Sequence, residues 1–173
     1  MSHSVPFDGQ SLIQEIPNFL DHVFDHLKEE GINTDRYFID HLCYRSASEE
    51  DYQALQSAFA SVAKKIHEAL VGGRMISIFT FHEPILYRGH KITLFELPAP
   101  KPGREEINAW EHLEFVIDED LYSFQTKYPN TVFDTKNLNR VENPDLTLHF
   151  PNTMVRFHLE SLHDIVMREK EQG

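Results

Sequence analysis

The chain nearly repeats itself. Asp40-His41-Leu42-Cys43-Tyr44 and Glu111-His112-Leu113-Glu114-Phe115 both read acid, His, Leu, any residue, aromatic. A second pair, Phe95-Glu96-Leu97 and Phe157-His158-Leu159, follows in the same order. Such self-similarity constrains the fold more than composition does, because each half is then one supersecondary unit built to the same plan.

The element pattern agrees. Residues 8–30 carry Leu12, Ile13, Ile16, Phe19, Leu20, Val23, Phe24 and Leu27 at helical spacing, with Gly31 as a stop and Pro17 as a kink or division. Tyr37–Arg45 reads as a strand. A helix capped by Ser46 or Ser48 follows, its stripe running Tyr52, Leu55, Phe59, Val62, Ile66. Strands are predicted at Met75–Phe81, Ile85–Tyr87 and Lys91–Leu97, with Arg88-Gly89 as a turn. Pro98–Gly103, three prolines and a glycine in six residues, breaks the chain. The order then restarts: strand Glu111–Ile117, helix Asp118–Lys127, strands near Thr131–Phe133, Leu146–Phe150 and Met154–Leu159, the last two joined at Pro151-Asn152-Thr153. Ser161–Lys170 reads as a closing helix. The organisation is one domain over residues 1–173: an added N-terminal helix (8–31), a first half (36–98), a linker (99–109), a second half (110–160) and a C-terminal helix (161–170).

Charge narrows the partners. A net charge of −12 with no Lys/Arg run removes the electrostatic footprint of a nucleic-acid or anionic-membrane binder. No apolar run approaches the ~18 residues of a membrane span. Met1–Pro6 lacks the basic and apolar regions of a leader, and Cys43 stands alone, so no internal disulfide forms. These features predict a cytoplasmic protein with a small-molecule partner.

Strand alternation sorts the polar residues. His41, Cys43 and Arg45 share one face of their strand, and His112 and Glu114 one face of theirs. Arg156, His158 and Glu160 lie opposite Val155, Phe157 and Leu159. Glu96 interrupts an apolar run, where a carboxylate needs a cation, an Arg such as Arg45 or Arg156, or solvent. His41, Glu96, His112 and His158 thus come from four equivalent strands. Imidazole nitrogen with carboxylate oxygen suits one divalent ion: zinc, nickel, iron or manganese. Glu160 has the parity to replace or supplement His158. Glu96 and Glu114 are candidate general bases. Arg45 and Arg156 are candidates for anchoring a substrate, although pairing with acidic neighbours accounts for Arg45 equally well. Cys43 reads as small cleft lining rather than a nucleophile. His22 and His26 read as surface; His82 and His90 fall near strand ends, with a cleft rim as their alternative role.

The segments Asp40-His41-Leu42, Phe95-Glu96-Leu97-Pro98, Trp110-Glu111-His112-Leu113-Glu114 and Phe157-His158 resemble the YecM family, a bacterial group related to the vicinal oxygen chelate superfamily. The resemblance implies an α+β fold of paired βαβββ modules forming an incomplete mixed-sheet barrel. It also implies ligands from the first and last strands of each module, where His41, Glu96, His112 and a final-strand residue stand. Glyoxalase-like members carry Glu at that last position and this chain carries His158, which points away from glyoxalase chemistry. The expectation is a metal-dependent isomerase, lyase or oxygenase acting on a small oxygenated substrate. The alternative is a non-catalytic protein that binds metal or a small ligand in the same cleft. The added N-terminal helix offers a homodimer face in either case.

Overall fold

A computed structural model describes residues 6–172; Met1–Val5, read above as lacking a leader, lie outside the described residues, as does Gly173. The chain is a mixed α+β protein built on one seven-stranded sheet. The elements run α1 (Gly9–Gln14), α2 (Ile16–Glu29), β1 (Phe38–Arg45), α3 (Glu49–Phe59), β2 (Ala63–Val71), β3 (Arg74–Tyr87), β4 (His90–Pro98), β5 (Ala109–Val116), α4 (Leu121–Thr126), β6 (Asp145–Phe150), β7 (Thr153–His158) and α5 (Leu162–Gln172). The strand order is β2-β3-β4-β1-β5-β7-β6. β4 returns parallel beside β1, β7 returns parallel beside β5, and β1 meets β5 antiparallel. The sheet ends at β2 and β6 without pairing them, so it stays open and forms no closed barrel.

Local chemistry explains the boundaries. Pro17 sits in the first turn of α2, where its missing N–H costs nothing, and the break falls just before it at Glu15. Ser48 caps α3 by accepting from Asp51 N. Arg88 and Gly89, both at positive φ, make the two-residue turn from β3 to β4.

Three expectations need correction. The helix stripe does not run through Val62 to Ile66: α3 stops at Phe59 and Ile66 lies in β2. β2 is an edge strand with mostly exposed side chains, and its Lys64 and Lys65 are the charges such edges carry, so it lacks the alternation of a half-buried strand. The two strands expected over 75–87 are one, β3, irregular between Thr80 and Ile85, and Pro84 stands past the point where β2 stops pairing. Thr131–Phe133 is no strand. Val132 is exposed, and only the single bridge Asp134–Thr147 remains, so the second half has two strands after its helix where three were expected.

One face of the sheet carries the main core with α1 to α4. Phe95 lies at its centre, against Phe59, Phe79, Phe81 and Trp110 at ring-centroid distances of 4.7–5.5 Å. The N-terminal helices belong to this core: Leu12, Ile16, Leu20, Val23, Phe24 and Leu27 are buried in it, and Trp110 Nε1 donates to Leu12 O at 2.8 Å. The apolar face of these helices is therefore covered from within. The other face is open except where α5 packs Leu162 and Val166 on Ile78 and Leu94.

Phe95→Ala should lower the free energy of unfolding by about 3–5 kcal/mol, whereas Leu86→Ala on the exposed edge should stay within about 0.5 kcal/mol. Urea unfolding of the two variants checks this, and similar losses would refute the placement of the core.

Candidate metal centre

The junction of β1 and β5 builds the site. Ile39 pairs with Phe115 but His41 with Glu114, so Asp40 is an extra residue in β1. Cys43 pairs with His112 but Tyr44 with Trp110, so Glu111 is an extra residue in β5. Each strand thus bulges at the acid that precedes its histidine. A bulge shifts the alternation by one, which is why Ile39 and Leu42, and likewise Trp110 and Leu113, all reach the core. The bulge also brings acid and histidine to the same side.

The geometry follows. His41 Nδ1 lies 2.7 Å from Asp40 Oδ2, and its Nε2 lies 2.7 Å from Glu114 Oε2. His112 presents Nε2 to the same Glu114 oxygen at 3.1 Å, with Nδ1 3.6 Å from Glu111. Both rings therefore turn Nε2 inward and Nδ1 toward the preceding acid. Glu96 of β4 stands 3.6 Å from His41 Nε2. One ligand atom from each of His41, Glu96, His112 and Glu114 fits within a 4.8 Å span. His158 joins from the side, its Nε2 3.4 Å from Glu114 Oε1 and 3.5 Å from Asp40. The three histidines are only 3%, 7% and 6% exposed.

Electrostatics tie the group together. His41 faces acceptor-only carboxylates on both nitrogens, so its ring holds both protons. Burial penalises that charge, but Glu114, Glu96 and Asp40 outweigh the penalty and raise its pKa well above the usual value. Burial also opposes the charged form of His112, yet Cys43 and Glu114 push its pKa up to about 10. For Glu114, burial favours the protonated acid, and the two rings overcome that and hold the pKa well below the carboxylate range. Two of the histidine nitrogens are buried without a hydrogen-bond partner among the described residues: His112 Nδ1 and His158 Nε2. Two inward Nε2 atoms, two carboxylates and an orphaned histidine nitrogen suit a divalent cation of the zinc, nickel, iron or manganese kind.

The remaining candidates are distributed unevenly. Glu114, expected as a base, sits at the centre among the possible ligands. Glu160 lies outside the cluster and pairs with Arg168 on the surface. Arg45 is bound to Glu111 and to Glu106, 3.4 Å away. Cys43 is buried and lines the larger cavity with Glu96, His112 and Arg156, a space of about 750 Å³. Glu96 and Arg156 also line a second cavity of about 250 Å³ beneath α5. His90 packs on the Phe24 ring on the helix side, 5.7 Å between centroids, and His82 is exposed; neither lines these two cavities. His26 stacks on Phe150 at the surface, 3.3 Å from His22.

Sequence reasoning left Asp40 without a role. Its carboxylate accepts the Leu162 N–H at 3.0 and 3.1 Å while holding His41. The apolar phase slip from Ile39 to Leu42 was the available signal.

An α+β protein with one open mixed sheet and a buried histidine–carboxylate cluster on its uncovered face is the class these features define. The YecM protein family model matches residues 8–141, most of the chain, and the chain belongs to that family. It is 25% identical to Protein YecM of Escherichia coli (strain K12) over 177 residues, covering 93% of this chain and 94% of that protein. It is 30% identical to an uncharacterized protein of Haemophilus influenzae over 90 residues, 52% of this chain and 47% of that one. The solved structure described as "Structural Genomics, Protein EC4020" superposes with a TM-score of 0.77 at 25% identity, covering 97% of this chain and 100% of its own. Among the described residues no helix is long and apolar enough to cross a membrane.

Two predictions follow from the cluster itself. Because the folded pKa of His112 lies near 10, above its unfolded value of about 6.5, its stabilisation is complete below pH ~6.5 and is lost as pH rises toward 10. Melting temperature in chelator should therefore fall across that window, and Glu114→Gln should flatten the fall; parallel curves for the two proteins would contradict the assignment. Asp40→Ala should cost about 1–3 kcal/mol and free the start of α5. Hydrogen exchange over residues 162–172 should then quicken while α2 stays unchanged, and equal exchange in both proteins would remove the Asp40 link.

Proposed function

We propose that this protein is a metal-dependent enzyme of the vicinal oxygen chelate type, acting on a small substrate that offers two neighbouring oxygens. The observation that carries the reading is the convergence of His41, Glu96, His112 and Glu114 from three adjacent strands into one 4.8 Å cluster. The topology supports it: β1, α3, β2, β3 and β4 run strand, helix and three strands, with β4 back beside β1, and β7 returns to β5 in the same parallel sense.

Each residue has a distinct task. His41 and His112 would hold the cation through Nε2, the His41 ring being oriented by Asp40. Glu114 is fixed between both rings and completes the holding set. Bound there, a divalent ion supplies a Lewis acid that polarises the substrate oxygens. Glu96 has no hydrogen bond to any described residue and faces both cavities, so it is the carboxylate placed to take a proton and return it. Its position between cavity and cluster suits isomerase or lyase chemistry.

Plasma mass spectrometry on tag-free protein tests this. Wild type should hold about one zinc, nickel, iron or manganese ion per chain, and His41→Ala/His112→Ala should lose it, because each deletes a buried nitrogen donor. Glu96→Gln should retain most of the metal. A wild type that stays metal-free after reconstitution with all four ions would end the reading.

A further inference from the structure

Arg156 occupies an unusual position in the cleft. It lies on β7 at the register position of Glu114 of β5, on the same face as the histidine–carboxylate cluster. It is half-buried, and its Nε is buried without a hydrogen-bond partner. Among the described residues no carboxylate comes within 4.0 Å of its guanidinium, whose one polar contact is Met154 Sδ at 4.0 Å. Arg36, Arg45, Arg88 and Arg168 have acidic partners, whereas Arg74, Arg104 and Arg140 have none within 4.0 Å among the described residues; Arg156 is set apart from these by its buried, unpartnered Nε. A guanidinium presents five donors in a planar fork, and leaving them unmet in a protein wall is costly.

The sheet register sharpens this. Leu42 pairs with Phe95 and, in the other half, Leu113 pairs with Val155. One step on, Cys43 pairs with Glu96 and Glu114 with Arg156. The counterpart of Glu96 is therefore Arg156; His158 lies two residues further. Where one half presents a carboxylate to the cleft, the other presents a guanidinium. Both line the two cavities; the smaller, of about 250 Å³, is walled on its apolar side by Val71, Ile76, Ile78, Leu162 and Ile165.

We infer that Arg156 is the residue that selects the substrate, and that it takes the carboxylate of a small organic acid whose short apolar tail lies against the α5 wall. Pairing with a planar carboxylate satisfies the fork with two parallel N–H···O bonds. A phosphate dianion fits less well, because Glu96, Glu114 and Asp145 line the same small cavity and repel a second negative charge more strongly. An acid seated in the smaller cavity is limited to a few carbons beyond its carboxylate. The inference rests on the proposed metal centre only for the neighbouring oxygen of the substrate, a 2-oxo or 2-hydroxy group; the carboxylate contact belongs to Arg156 alone.

Calorimetric titration of zinc-loaded and chelator-treated protein with 2-oxobutyrate, 2-hydroxybutyrate and their primary amides tests it, with inorganic phosphate as a further arm. The acids should bind wild type, and the amides should bind roughly ten- to a hundredfold more weakly, the loss expected for a hydrogen-bonded charge. Arg156→Met should show the same loss with unchanged metal content, and Arg156→Lys a smaller one. The acid-against-amide comparison needs no variant, so poor folding of Arg156→Met cannot decide the matter. Equal binding of acid and amide, equal binding by Arg156→Met, no acid binding by wild type, or phosphate binding more tightly than the acids would each overturn the inference. Protein that holds zinc but ignores the acids loses this inference and keeps the metal reading. Protein that holds no metal but binds the acids through Arg156 does the reverse.

Discussion

The antiparallel pairing of β1 with β5 is the one strand contact between the two halves of the chain, and the rest of the structure is arranged around it. It bulges twice, once on each strand, and the extra residue is an acid each time. A bulge at a sheet centre disrupts the ladder, and here it turns two side chains in succession toward the cleft. Glu114 then lies between two imidazole rings, one contributed by each half. A buried carboxylate without partners would shift toward its neutral form or unfold its surroundings. With His41 at 2.7 Å and His112 at 3.1 Å, it remains charged and joins the two halves. Fold junction and candidate site are the same residues.

The C-terminal helix extends this logic. α5 lies on the open face, far from the main core, over a patch of few apolar residues. Such a patch buries too little area to fix a helix firmly. Asp40 supplies the rest, because the carboxylate that orients His41 also accepts the first N–H of α5. His67 and Glu169, 2.8 Å apart, add a clasp between β2 and the helix. The wall of the smaller cavity is thereby tied to the ring that faces the cluster, so a change at one is felt at the other.

Much of this was legible in the residues, and the failures have physical causes. The repeat located the strands that pair, and alternation assigned His41, Cys43, His112, Glu114 and Arg156 to the cleft. The N-terminal stripe was read as a helix, and its burial in the core came only with the structure. β2 was hidden because an edge strand needs no alternation, and Val62 and Ile66 fell at helical spacing from Phe59 by coincidence. β3 was divided at Pro84 because proline normally ends a paired strand, whereas here one partner had already stopped. The roles of Asp40 and Glu111 were obscured by treating each strand as regular. The slip of apolar phase from Ile39 to Leu42, and from Trp110 to Leu113, records both bulges in the sequence.

The matching of Phe-Glu-Leu with Phe-His-Leu shows where a sequence echo and a sheet register part. Both place a polar residue on the cleft face, since a shift of two preserves parity. The register moves the counterpart of Glu96 to Arg156 and sets His158 one pleat closer to the turn into α5. His158 consequently meets Asp40 and the outer oxygen of Glu114, away from the four-residue cluster. The two halves share a backbone plan and differ in the charge they project. The first half contributes Glu96 beside His41, a pair suited to a cation. At the matching position the second half contributes a guanidinium with no carboxylate within 4.0 Å. The carboxylate and the guanidinium thus face the same cleft, with β1 and β5 between their strands.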